Sequence, residues 1–522
     1  MIKVVDIFAG PGGLSEGFAA VMDAKGSPAF DITLSIEKDQ QAHATLLLRT
    51  FFRQFTDKAP DDYYRLLSGA SEREALFEAY PSEAKRAKTR SWHAALGASG
   101  EDRATVRKRI DEALGRDTDW VLLGGPPCQA YSLAGRSRNQ GNPKYEPTKD
   151  ERQRLYVEYL QILAEHRPAV FIMENVKGLL SATLDNELVF HRILEDLRDP
   201  AHALTREGRN GEHVRKGGYR IHSLAEDHVL ENGNLRGSVI EAEKYGIPQA
   251  RHRVILLGIR DDISGVKPGV LSKQPPVSVG SVIGSLPRLR SGVSPRRQDS
   301  PTAWRSALQA QAHSRWANAG ACKVGGDALS RLIRNRLAEI SLPRADRGAE
   351  FVECDPTLTY ASAWFGDRRI GGICNHSTRS HMEKDLYRYF FAACYAKHQG
   401  HTPALKHFPT DLLPDHENVA DALDKGGYFS DRFRVQIGSG PSTTIASHIS
   451  KDGHYYIHPD PLQCRSLTVR EAARLQTFPD NYFFCGNRTA QYIQVGNAVP
   501  PLLARQIGEI VRDFLKAAGA NG

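Results

Sequence analysis

No apolar run in this 522-residue sequence approaches the roughly 18 residues that a membrane-spanning helix needs. The opening MIKVVDIFAG carries Asp6 and lacks the basic, apolar and small-residue layout of a secretory leader, so a cytoplasmic setting is expected. Cysteine is sparse: seven residues, an odd number, with no CxxC pair. That excludes a disulfide scaffold and a zinc ribbon, and in a reducing compartment a special cysteine is reactive rather than structural. Strong charge bias is also missing. Lys and Arg number 69 against 61 Asp and Glu, a formal charge of +8, which permits a polyanionic partner without establishing one. No internal repeat or long low-complexity tract interrupts the chain. What remains is 40% hydrophobic and 25% charged, an ordinary globular composition, long enough for about two to four domains.

The first fifty residues read as strand, turn, helix, strand. KVVDIF (3–8) runs into Ala9-Gly10-Pro11-Gly12-Gly13, a helical pattern follows from Leu14 to about Met22, and Ile32–Ile36 ends at Glu37-Lys38-Asp39. This is the opening of a doubly wound α/β sheet. Residues 50–118, rich in Glu, Arg, Lys and Ala, read as inserted and mostly solvated helices. Strands resume at Trp120–Leu123, Ala169–Met173 and Arg253–Ile259, with a helix at about 151–165 between the first two. Between 281 and 350, twelve Lys and Arg face five Asp and Glu. A loop-rich stretch rich in His and Tyr follows, then a helical pattern from about Arg465 and a last helix at about 501–517. The map is an α/β domain interrupted by a separate segment, with the C-terminal stretch returning to complete it.

Three features carry chemistry. The glycines after the first strand permit positive φ and a close backbone approach to a ligand, and Glu37 ends the next strand where a carboxylate can accept from a ribose diol. The spacing is not GxGxxG, so an adenosine-type cofactor such as S-adenosylmethionine fits as well as a dinucleotide. Cys128 in GGPPCQAYS follows a strand in a loop stiffened by two prolines, a frame suited to a nucleophile. Cys322, Cys354, Cys374, Cys394, Cys464 and Cys485 have no such frame and read as small buried hydrophobes. Cys374, His376, His381 and Cys394 together could hold a metal, but their spacing matches no common site, and no metal is expected. Arg251 and Arg253, two apart on a strand, should face one side.

In order, DIFAGPGGLSEGF, IEKD, GGPPCQAYS, MENVKGLL, YGIPQARHRVILLGIR, RSLTVREAARLQTFPD and QVGNAVPPLLA resemble the motifs of the bacterial cytosine-C5 DNA methyltransferases, and they span residues 4–504. The resemblance implies a Rossmann-like, mostly parallel catalytic sheet at 1–265 with the helical insertion at about 50–118. It implies a smaller target-recognition region at 266–460 and a return to the catalytic domain at 461–522. It also implies methyl transfer from S-adenosylmethionine to C5 of a flipped-out cytosine in a specific duplex sequence, through a covalent bond from Cys128 to C6. Glu174 would handle the proton at N3 and recognise the N4 amino group. Arg253 would contact the cytosine O2, and Arg251 would support the nucleophile region. Asn175 and Gln249 are expected to hold backbone segments. Phe8, Gly10, Pro11, Gly12, Gly13, Glu37, Leu155 and Asn497 would lie near the cofactor.

The acidic residue that the family places at the end of the third strand is hidden by the insertion. The resemblance further implies a monomer acting at the nucleoid in a restriction-modification or related defence system, with a separately encoded endonuclease as a possible companion. Part of the basic block 281–350, with Arg296 and Arg297, is expected to line the DNA cleft and meet phosphates, and base contacts are expected mostly from about 351–445. An RNA cytosine-C5 methyltransferase would share the layout but has a short segment after the Arg-rich motif, where this chain has about 200 residues. An amino-methyltransferase would carry Pro-Pro-Tyr instead of Pro-Pro-Cys. A dead DNA-binding module would not need the full Cys, Glu and Arg set.

Overall fold

A computed structural model describes the chain at residues 1–55, 58–97, 100–127, 151–184, 187–209, 211–295, 299–318, 326–355, 357–415, 419 and 430–519. Cys128 and the residues after it to 150, Arg296, Arg297 and Cys322 lie outside the described residues. Among those described, no helix is long and apolar enough to cross a membrane.

Eight strands form one sheet: β1 (Ile2–Ile7), β2 (Phe30–Glu37), β3 (Ser91–His93), β4 (Val121–Gly124), β5 (Val170–Val176), β6 (Tyr219–His222), β7 (Val239–Glu241) and β8 (His252–Arg260). The order is β3-β2-β1-β4-β5-β8-β6, with β7 also paired to β8. The first five in that order are parallel, and β8 runs antiparallel to each of its neighbours. This is the expected Rossmann-like, doubly wound and mostly parallel α/β sheet. β4 and the first four residues of β5 are apolar throughout because both faces are covered, whereas β1 carries Lys3 and Asp6 and β2 alternates apolar residues with Asp31, Thr33, Ser35 and Glu37. One face packs Val5, Ile7, Leu122 and Met173 under helices at 103–114, 151–166 and 189–198. The other packs Val4, Val121 and Ile255 against α1 (Gly13–Ala19) and the C-terminal helix Pro501–Ala517.

The order reverses between β1 and β4, whose carboxyl ends open into the glycine turn and into Gly124-Gly125-Pro126. An open α/β sheet binds its ligand at such a crevice. The inserted stretch departs from the expectation of helices alone. After α2 (Gln40–Phe52) come helices 61–67, 73–79 and 81–90, but Ser91–His93 is a strand, the third of the sheet. β5 also runs past Met173 through Val176, so Glu174 and Asn175 are strand residues fixed by pairing with β8.

A separate core lies in the middle of the chain. Helices 301–309, 326–338 and 383–399 bring together Trp304, Leu308, Ile333, Tyr389 and Phe390. Cys394 lies in this core, whereas Cys374 packs with the inserted helices, so the structure does not gather the Cys/His set.

Candidate active site

The glycine turn is held in a left-handed path. Phe8, Gly10 and Gly12 have φ of 55, 58 and 94°, a region costly for a side chain such as that of Phe8. The Gly12 amide donates to the Ala9 carbonyl at 2.9 Å. The Gly10 amide donates to Glu37 Oε2 at 2.8 Å, and the Asp39 amide donates to Oε1 at 2.6 Å. Each carboxylate oxygen keeps a further lone pair. Burial raises the pKa of Glu37 above the ordinary carboxylate value. A methyl group at Gly10 would meet nothing within 4 Å, so the turn is open to a ligand on that side.

Around the turn, Gly13 lies so close to the returning chain that a Cβ would sit 2.4 Å from the Val499 carbonyl oxygen. This contact sets Asn497, exposed at the end of helix Arg488–Asn497, two residues from Val499 and therefore beside the turn. Leu155 is buried, with Cδ2 3.3 Å from where a Cβ on Gly97 would stand. Pro11 is buried and its carbonyl accepts from the Tyr482 hydroxyl. β3 ends at His93, in register with Glu37, and is followed by Ala94 and Ala95. Among the described residues 94–97 there is no acid, and the next acid, Glu101, donates its amide to the Ala95 carbonyl at 2.9 Å.

Beneath the turn, Asp6 is buried beside Ser15, and among the described residues neither carboxylate oxygen has a partner within full hydrogen-bond geometry. Ser15 gives its hydroxyl to the Gly12 carbonyl instead. Burial pushes the Asp6 pKa up to about 7.

At the mouths of β4 and β5, Glu174 and Arg253 form an ion pair, Nε to Oε1 at 3.0 Å, both largely shielded from solvent. In the antiparallel ladder Arg253 faces Val176, so Glu174 is its diagonal neighbour on the same face. A second Glu174 oxygen, Oε2, is 3.2 Å from where a Cβ on Gly125 would stand. Asn175 donates from Nδ2 to the Pro126 carbonyl at 3.1 Å. The strand that carries Glu174 thereby grips the loop two residues before Cys128.

Arg251 behaves differently from the sequence expectation. It stands one residue before β8, which begins at His252, and so does not lie on that strand with Arg253. Its guanidinium is fully buried and donates to the carbonyls of Ile445 (2.8 Å) and Gly496 (3.2 Å). Burial, with Arg253 nearby, pulls its pKa down to about 9. Gln249 accepts from the Ile445 amide at 2.8 Å and donates to Gln476 Oε1 at 2.9 Å. Gln249–Ala250 also pairs with Ser442–Thr443. These side chains tie the catalytic sheet to the returning chain. A cleft of about 530 Å³ opens beside them, lined by Arg434, Thr443, Thr444, His448 and Tyr455.

Several cations of the basic block are paired internally, so only part of the block remains for phosphates. Arg290 is buried and bonds Asp299 (2.6 Å) and Asp346 (2.5 Å). Arg347 bonds Asp299 at 2.8 Å, and Arg336 pairs with Glu339. Sequence reasoning missed Gly125 and Tyr482. Gly125 was visible as the second glycine before Pro-Pro-Cys, but Tyr482 carries no local signal.

A family model of C-5 cytosine-specific DNA methylases matches residues 99–203 and 234–512. The type II methyltransferase M.Bpa9945I of Bacillus paralicheniformis is 31% identical over 98% of this chain and 99% of its own. M.AgeI of Thalassovita gelatinovora, also a type II methyltransferase, is 28% identical over 78% of this chain and 86% of its own. The DNA (cytosine-5-)-methyltransferase M.ApeKI of Aeropyrum pernix is 26% identical over 77% and 83%.

Proposed function

This chain belongs to the family of C-5 cytosine-specific DNA methylases and is a DNA (cytosine-5-)-methyltransferase, and from that premise we propose how its residues divide the reaction. The observation that carries the proposal is the Glu174–Arg253 pair at the mouth of β5 and β8, beside Gly125 and Pro126. It puts a carboxyl and a guanidinium next to the loop that bears Cys128.

The turn fits S-adenosylmethionine: Glu37 keeps acceptor capacity for a ribose diol, and Gly10 is open on the ligand side. Phe8, Pro11, Gly12, Gly13, Leu155 and Asn497 complete that surface. When bound, S-adenosylmethionine supplies the electrophilic methyl group. The chain supplies the rest. Cytosine C5 is a poor nucleophile, and addition of the Cys128 thiolate to C6 raises its electron density. Glu174 holds the proton that N3 then needs with one oxygen while Arg253 keeps the other, and the carboxyl also meets the N4 amino group. Arg253 has donors left for O2. Arg251 positions the strand entry from below and does not touch the base. The target base is extruded from the duplex, because its C5 and C6 are unreachable inside the stack.

The middle core at 293–464 supports a dedicated duplex reader over an RNA substrate. We assign that region to 266–460, a span supported by the shared core that includes Val293, Phe433 and Ile457. The type II relatives support a role in restriction-modification. We further propose a monomeric enzyme that acts on the nucleoid in the cytoplasm, with a separately encoded endonuclease as its companion. The test is incubation of duplex DNA or transfer RNA with labelled S-adenosylmethionine, followed by nucleoside analysis. Label in 5-methylcytosine of DNA is expected. Label confined to RNA would overturn the substrate reading.

A further inference from the structure

Tyr482 stands far from the sheet in sequence, yet its hydroxyl donates to the Pro11 carbonyl inside the glycine turn. It is fully buried. Its ring is packed by Phe478 (centroids 4.8 Å apart) and Phe484 (5.5 Å), with the Arg49 guanidinium over its face at 4.9 Å. Arg49 is itself held by Glu16 of α1, Nε to Oε2 at 3.0 Å, and by Asn481 Oδ1 at 3.0 Å. The ring that carries the hydroxyl is thus held by three neighbours. A Cβ at Gly12 would stand 3.1 Å from the hydroxyl.

The peptide from Pro11 to Gly12 is planar, so fixing its carbonyl also fixes the direction of the Gly12 N–H. That N–H closes the turn on Ala9, and the same turn delivers the Gly10 amide to Glu37. We propose that Tyr482 is a positioning residue for the cofactor turn: its hydroxyl sets the turn geometry that lets Glu37 and the Gly10 surface receive S-adenosylmethionine. The proposal rests on the reading of this turn as the S-adenosylmethionine site. Burial raises the phenol pKa well above the usual range, so the hydroxyl stays a donor at every working pH.

Tyr482→Phe removes the donor and keeps the ring, its aromatic contacts and the Arg49 stack. A neutral hydrogen bond of this kind is worth roughly tenfold in an equilibrium constant. Calorimetric titration with S-adenosylmethionine and with S-adenosylhomocysteine should show Kd raised about fivefold to twentyfold for both. KM for the donor should rise in step, while kcat at saturating donor and duplex affinity stay within about twofold. The control is Phe478→Leu, which disturbs the same aromatic packing without touching the turn. It should lower Tm and leave donor affinity unchanged. Donor affinity within twofold of wild type in Tyr482→Phe overturns the proposal. So does an equal loss of donor affinity in Phe478→Leu, which would make Tyr482 a core residue only. Failure of the unsubstituted enzyme to bind the donor is a separate result, and it removes the cofactor reading itself.

Discussion

Arg253 meets Glu174 across a diagonal of the antiparallel ladder between β8 and β5, Nε 3.0 Å from Oε1. The pair holds the carboxyl in one rotamer before any base arrives. Preorganised groups of this kind contribute to rate because no reorganisation is needed during reaction. Glu174→Gln keeps the size and the hydrogen-bonding reach but cannot supply a proton. Single-turnover methylation should fall by roughly 10²–10⁴ with duplex affinity nearly unchanged. A loss of only a few-fold would remove Glu174 from the proton step.

Gly125 allows a sharper probe of the same carboxyl. A methyl there would press on Glu174 Oε2 at 3.2 Å, so the carboxyl or the loop must give by a few tenths of an ångström. Gly125→Ala should lower kcat by about tenfold, since small misplacements at a reacting centre are costly. Donor affinity should be unaffected, because the cofactor turn is built from β1. Rapid-quench kinetics beside a donor titration would check this, and an unchanged kcat would mean that Glu174 has room to move.

The thiols separate cleanly. Burial raises the pKa of Cys354, Cys374, Cys394, Cys464 and Cys485, with Cys374 pushed up to about 12 and Cys485 to about 11. Buried, protonated thiols are poor nucleophiles. Brief alkylation near pH 7.5 should therefore mark Cys128 ahead of these five, as read by peptide mass mapping. Wild type should also form a covalent adduct with duplexes carrying 5-fluorocytosine, because fluorine blocks loss of the C5 proton, and Cys128→Ala should not. Trapping by the alanine variant would show that another nucleophile acts.

How far the sequence revealed these parts depended on how local the signal was. β1, the glycine turn, α1, β2 and Glu37 were readable because strand, turn and helix patterns follow one another within forty residues. Asn175 and Gln249 were placed as backbone braces and make those bonds, to Pro126 and to Ile445. β3 was hidden because three residues cannot show a period, and helix formers flank it. Arg251 was misplaced because spacing of two implies a shared face only inside a strand, and the strand starts after it. Tyr482 was invisible because its partner, Pro11, comes from the opposite end of the chain.

Stability should fall with acid because of histidines buried in the neutral form. His222, His376 and His458 have pKa values pulled down to about 4 by burial, and His381 lies well below its usual value. Unfolded, each would take a proton near pH 6.5. Between about pH 6.5 and 4 the unfolded chain binds more protons, and stability is lost as pH falls through that window. Asp6 works in the opposite sense: raised to about 7, it is protonated in the fold where the unfolded acid is not. Several histidines outweigh one aspartate, at about 1.4 kcal/mol per pKa unit each. Tm should drop steadily from pH 6.5 to 4.5, and a flat profile would show that these imidazoles are already protonated in the fold.

The basic block divides into two kinds of cation, which a net charge cannot distinguish. Arg290 is enclosed with Asp299 and Asp346, and Arg347 shares Asp299. Removing Arg290 leaves the shielded Asp299 to Arg347 alone and the half-exposed Asp346 to solvent, at a cost of about 1–3 kcal/mol. Arg290→Gln should therefore lower Tm while leaving the salt dependence of DNA binding alone. Arg296 and Arg297 stand in a Ser-Pro-Arg-Arg stretch, and no acid is adjacent to either in sequence. If they meet phosphates, the double Gln variant should weaken cognate and random duplexes equally. It should also flatten the slope of log affinity against log salt by about 0.9 per lost contact. The methylated sequence should stay the same, since phosphate contacts carry no base information. An unaltered slope would place the pair in solvent. A changed target sequence, read by bisulfite sequencing of DNA from an expressing host, would instead make Arg296 and Arg297 base readers.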